Sequence, residues 1–142
     1  FINSLSLHFG NLFKDLNPKA IILYLGGNDL SLGLSASEII SQIQAFIEKV
    51  NRKFPSTIIF NISIKPSFER QELLGVIKKI NLGVLRISKQ LPYFHQIKLY
   101  EALLDEKQQI RGDVLLQDGL HLNRNGYEIL KSQVHKALQK HL

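Results

Sequence analysis

The stretch Asp118-Gly119-Leu120-His121-Leu122-Asn123 carries the strongest chemical signal in this sequence. An aspartate three positions before a histidine can fold back onto the imidazole, and Gly119 between them permits a tight backbone. A carboxylate so placed fixes the ring's tautomer and stabilises the imidazolium that forms when the ring takes a proton. That describes a general base, and a base needs a nucleophile to deprotonate and a donor to hold the resulting oxyanion. The candidate donor is the side-chain amide of Asn28 in Gly26-Gly27-Asn28-Asp29, where Gly26 and Gly27 would let the backbone approach a substrate closely. Each of these residues also has a plainer use. Asn28 and Asp29 could be turn and cap residues, Asp118 could cap its own turn, and His121 could be a surface or core histidine held by a neighbour. Lys65-Pro66 reads first as a strand terminator and second as pocket lining.

The elements that must position these residues follow from the apolar pattern. Residues 1–16 carry a helical stripe, Ile2, Leu5, Phe9, Leu12, Phe13 and Leu16, ended by Asn17-Pro18. Residues 20–25 form a continuous apolar run, the mark of a strand buried on both faces in the interior of a parallel sheet. Ser35 or Ser37 caps the next helix, with Glu38 as the capping-box partner of Ser35, and its stripe runs from Ile39 to Phe54. Residues 57–64 are a second, β-branched strand. A long helix is predicted over 69–91, a short alternating strand over 96–100, and an irregular stretch over 101–117. Asn125 is the expected cap of a last helix bearing Tyr127, Leu130, Val134 and Leu138.

Helix and strand therefore alternate, which predicts a single α/β domain over residues 1–142, with helices on both faces of a parallel sheet. In such sheets ligands bind at the carboxyl ends of the strands. The Asn28 segment, Lys65-Pro66 and the His121 segment should then converge on one rim.

Composition closes off several alternatives. At 142 residues, with 44% apolar and 21% charged side chains, the chain has the make-up of an ordinary globular domain. No apolar run approaches the ~20 residues of a membrane span. Without cysteine there is no thiolate nucleophile or Cys-based metal site, and a reducing compartment is favoured, the cytoplasm first. The net charge of +6 is scattered, with no basic block interleaved with aromatics, so nucleic acid is not an expected partner. His8, His95, His135 and His141 have no carboxylate at comparable spacing and read as surface residues. No metal and no cofactor are expected: HExxH-like spacing is absent, and no Gly-rich phosphate loop follows any strand.

The paired segments, one straight after an apolar strand and one straight before a final helix, resemble the SGNH or GDSL family of ester hydrolases. Gly26, Asn28 and Asp29 match that family's third block, and Asp118 and His121 its fifth. The resemblance runs on through Ile62-Ser63-Ile64-Lys65-Pro66-Ser67 and to Gly126-Tyr127. It implies a flavodoxin-like three-layer α/β/α fold, with Asn28 in the oxyanion hole, His121 as base and Asp118 as its orienting carboxylate. Gly26, Gly27, Asp29 and Pro66 would shape the site. The implied partner is a small-molecule ester of an acyl group, lipid or sugar.

The family's first two blocks, which carry the serine nucleophile and an oxyanion-hole glycine, have no match here. Ser4, Ser6, Ser31 and Ser35 do not lie on a strand-to-helix turn with the glycine pattern of a nucleophile. The apolar strand over 20–25 also lacks a partner on its far side, and an open apolar edge is one that proteins normally cover. The chain opens on Phe1 and contains no methionine. One expectation joins these points: the first one or two strands and the serine lie upstream, and this chain alone is inactive. A second copy pairing at the open edge, giving a homo-oligomer, is another way to satisfy the strand. The rival reading of function is a non-catalytic ligand-binding domain derived from such a hydrolase.

Overall fold

Three parallel strands lie in the order β1 (Ala20–Leu23), β2 (Ile58–Ile62), β3 (Phe94–Ile97), in a computed structural model that describes all 142 residues. Ala20 stands opposite Ile58, and Ile59 opposite Phe94. Helices α1 (Ile2–Leu7) and α2 (Phe9–Leu12) precede the sheet. Helix α3 (Ala36–Lys53) connects β1 to β2, and α4 (Leu74–Gln90) connects β2 to β3. Beyond β3 come a single turn, α5 (Leu99–Ala102), and the terminal α6 (Arg124–His141).

The pleat of β2 divides the core. Ile59 joins a cluster of 20 buried residues with α1, α3 and α4, whereas Phe60 and Ile62 join one of eight on the opposite face, against which α6 packs. Helices therefore cover both faces, as a three-layer α/β/α arrangement requires. The cap of α3 is the one its sequence announces. Ser35 Oγ accepts from the Glu38 amide at 3.3 Å, and the Glu38 carboxylate accepts from the Ser35 amide at 2.8 Å.

Several expectations need correcting. Strand β1 is not buried on both faces. Ile21 and Leu23 face the larger cluster, but Ile22 is 41% and Tyr24 47% exposed, because α6 packs over β2 and β3. The helical stripe of residues 1–16 breaks at His8 into two short helices. The third strand is Phe94–Ile97, and Leu99 and Tyr100, assigned to it from alternation, begin α5. The cap of α6 is Asn123, whose Oδ1 accepts from the Gly126 amide at 3.0 Å; Asn125 already lies in the first helical turn. His95 and His141 are not free surface residues either. Their half-buried rings stack at 3.6 Å beside Phe60, and burial, then neighbouring cations, holds both below the ordinary histidine pKa.

Asn81, buried in α4, completes the sheet beyond the end of β2. Its Oδ1 accepts from the Ile64 amide at 2.8 Å, and its Nδ2 donates to the Ile64 carbonyl at 2.9 Å. Asn81→Leu keeps the volume and strands both backbone groups. The expected loss is about 1–3 kcal/mol for each group left unsatisfied, read as a lower urea midpoint at constant slope. An unchanged midpoint would mean that water replaces the amide there.

Candidate active site

The chain leaves β1 through Leu25, whose amide donates to buried Asn61 Oδ1 at 3.2 Å, and turns sharply at Gly26. Gly26 has φ +95°, and a Cβ there would lie 3.0 Å from Ile64 Cδ1 and 3.2 Å from Ile39 Cγ2, so no other residue fits without strain. Asn28 follows, exposed, and opens a single 3₁₀ turn, Asp29–Leu32. The Asn28 carbonyl accepts from the Ser31 amide at 3.1 Å and from Ser31 Oγ at 2.6 Å. Its side-chain amide has no partner within the chain. Asp29 is 3% exposed and accepts the Ile2 amide at 3.0 Å, so its carboxylate ties α1 to the rim.

The second segment is a tight turn built on Gly119, at φ +68°. Asp118 Oδ1 accepts from the Leu120 and His121 amides at 2.9 and 3.0 Å. Its other oxygen, Oδ2, lies 2.6 Å from His121 Nδ1. One carboxylate thus caps its own turn and holds the imidazole. His121 Nε2 has no partner among the 142 residues, and the side chain is 67% exposed. A neutral ring in this setting carries its proton on Nδ1 and presents Nε2 as the acceptor. Gly126 seats the cap of α6, since a Cβ there would land on the Val114 carbonyl oxygen and within 3.0 Å of Leu122.

The His121 hydrogen bond, then the Leu120 and His121 amides, hold the Asp118 carboxyl at a pKa of about 2, against an ordinary 3.8. The folded state therefore takes up this proton less readily than the unfolded chain. The stability it contributes is present above about pH 4 and lost as pH falls through 2. Asp118→Asn should flatten that part of the acid-unfolding curve. Identical curves for variant and parent between pH 4 and 2 would contradict the assignment.

Asn28 and His121 border two adjoining cavities at the rim. Asn28 borders a cavity of about 200 Å³ with Gly26, Gly27, Asp29 and Tyr24. His121 borders one of about 210 Å³ with Ile62, Lys65, Leu122, Tyr127 and the same Tyr24. Tyr24 lines both cavities. Pro66 is buried and lines neither. A wider, open depression of about 800 Å³ beside Phe68 and Arg70 contains neither Asn28 nor His121.

Lys65, read from sequence as strand terminator or pocket lining, does line the His121 cavity, and Arg70 escaped the sequence reading. Lys65 Nζ donates to the Leu120 carbonyl inside the histidine turn, and Arg70 Nη1 donates to the Gly27 carbonyl at 2.7 Å. Burial, then Arg70, lowers the Lys65 pKa, and Asp118 and Glu69 oppose the shift. The only available signal for Arg70 was its position on the loop leaving β2, at the carboxyl rim.

Residues 3–129 match the model of the GDSL-like lipase/acylhydrolase family. The chain belongs to that family. Solved structures of similar shape include a Streptococcus pneumonia protein described as a platelet activating factor, at 26% identity and a TM-score of 0.77, with 94% of this chain and 67% of that one covered. A family 3 carbohydrate esterase of Clostridium thermocellum gives 23% identity, 0.75, and coverage of 95% and 63%. A GDSL-like lipase of Bacteroides thetaiotaomicron gives 17%, 0.80, and coverage of 99% and 72%. At those identities the last two speak for the fold alone. The chain thus spans roughly two thirds of the length of each of these neighbours. No curated protein is a significant match.

Proposed function

We propose that this family member carries the acid–base and oxyanion part of a serine ester hydrolase, with His121 as general base and Asp118 as its orienting carboxylate. The observation that carries the reading is the 2.6 Å contact between Asp118 Oδ2 and His121 Nδ1, which leaves Nε2 open at the sheet's carboxyl rim. The nucleophile is a serine supplied from outside these 142 residues. Its Oγ attacks the ester carbonyl while His121 Nε2 takes the hydroxyl proton, and the Asn28 amide donates to the developing oxyanion. Collapse of the tetrahedral intermediate breaks the C–O bond, and His121 returns the proton to the leaving alcohol. Water then enters with the same base, releasing a carboxylic acid and the free serine. Gly26 and Gly27 keep the backbone low beside the reacting carbon, and Asp29 and Pro66 fix the two rim loops from behind. The substrate class is a small-molecule ester, of an acyl, lipid or sugar moiety. Family membership supports this reading.

The rival, a non-catalytic binding domain, keeps the same rim and makes a different prediction. Purified as it stands, the chain should hydrolyse a short-chain aryl ester no faster than its His121→Ala variant. Joined to the serine-bearing segment of a family member, it should turn over, and a serine-directed phosphonate should stop it. Phosphonate-sensitive activity in the chain alone would place the nucleophile among its own serines. Inertness after joining, in a folded protein, would favour the binding domain.

A further inference from the structure

The loop that leaves β2, residues 65–70, reaches both halves of the proposed site. Toward Asn28, Arg70 Nη1 holds the Gly27 carbonyl at 2.7 Å, and the Lys65 amide donates to the Tyr24 hydroxyl at 3.4 Å. Toward His121, Lys65 Nζ holds the Leu120 carbonyl, and the Glu69 amide donates to the Gly119 carbonyl at 3.2 Å. Phe68 packs so closely on Gly119 that a Cβ there would lie 3.2 Å from Phe68 Cβ. The root of the loop is fixed by Asn81 on Ile64, and Pro66 and Ser67 are buried. The Arg70 side chain is only 17% exposed, so its guanidinium is confined rather than solvated.

The two site segments have no direct polar connection to each other. Leu25 and Leu30, on either side of Asn28, belong to the larger core cluster, and Leu115 and Leu122, on either side of His121, to the smaller one on the opposite face of the sheet. No hydrogen bond joins residues 24–33 directly to residues 113–123. Residues 65–70 are the one stretch that hydrogen-bonds directly to both.

We propose that Lys65 and Arg70 are positioning residues, through which one loop sets the separation between the His121 base and the Asn28 oxyanion donor. The proposal rests on the roles given above to His121 and Asn28. Neither cation touches a reacting atom. A displacement of 1 Å at a reacting centre can cost about 100-fold in rate, which is the scale of benefit such a loop would secure.

The test needs no nucleophile and uses the chain as it exists, by NMR on Lys65→Met, Lys65→Arg and Arg70→Met beside the parent. In Lys65→Met, with core amides such as Ile59 still protected, the His121 ring Nδ1–H signal should broaden. The Leu120 and His121 amides should exchange about tenfold faster, a local opening without global unfolding. The Asn28 side-chain amide, across the loop, should shift as well. Arg70→Met should show the converse, moving Asn28 and also His121. Lys65→Arg should restore the parent spectrum at His121. The proposal fails if either methionine variant, folded, perturbs only its own side of the loop or neither side. Should Lys65→Met not fold, Arg70→Met decides, since His121 must move there for the proposal to stand. Substrate does not enter these measurements. Intact coupling in a serine-supplied protein that still fails to cleave esters would overturn the hydrolase reading and leave the loop's role in place.

Discussion

In a polypeptide that supplies the serine, Asp118→Asn should lower turnover by about 10⁴-fold while leaving the fold intact, the scale set by losing the carboxylate that orients a catalytic histidine. The two oxygens of Asp118 separate the effects. Oδ1 accepts the Leu120 and His121 amides, and the asparagine carbonyl can keep both bonds, so the turn survives. Oδ2 faces His121 Nδ1, where asparagine would present a donor. Two donors cannot share that contact, so the ring must flip or give up the proton on Nδ1, and Nε2 ceases to be the acceptor. The comparison is kcat against thermal midpoint, with exposed Lys136→Ala as control. Equal losses of activity in the two variants would defeat the assignment.

Asn28→Ala in the same protein should lower kcat by about 10²–10³-fold with little change in KM, because an oxyanion donor acts on charge that exists only in the transition state. The structure makes this substitution clean. Asn28 has ordinary right-handed dihedrals, φ −78° and ψ −28°, which alanine adopts freely, and its side chain bonds to nothing else in the chain. If Asn28 were only a turn residue, the variant would keep both its stability and its rate. A rise in KM at constant kcat would make Asn28 a ground-state binding group instead.

What could be read from the sequence was what neighbours in sequence decide. Ser35 and Glu38 are three residues apart and their capping box formed; Asp118 and His121 are three apart and their contact formed. The helix–strand alternation set the order of the layers. What escaped depends on partners distant in sequence or on a choice between equivalent residues. Asn123 and Asn125 are equally good caps by type, and only the extended backbone at Asn123, φ −85° and ψ −172°, selects it. Six apolar residues in a row promised burial on both faces of β1, but how far α6 extends across the sheet decides what covers Ile22 and Tyr24, and no local pattern encodes that. The His95–His141 stack and the Lys65–Leu120 bond join residues 46 and 55 positions apart (141 − 95 and 120 − 65).

The two faces of the sheet are unequally built, with 20 buried residues on one and eight on the other. Helix α6, which carries the His121 turn at its start, has one buried residue, Gly126, against five in α3. Cooperative units with fewer buried apolar contacts open at lower free energy than the rest of a domain. The thinner layer is therefore the first to melt, and it takes the proposed base with it while β2, α3 and α4 still hold together. Warming would silence such a protein well before it unfolds, and recovery on cooling would require only that one helix dock again.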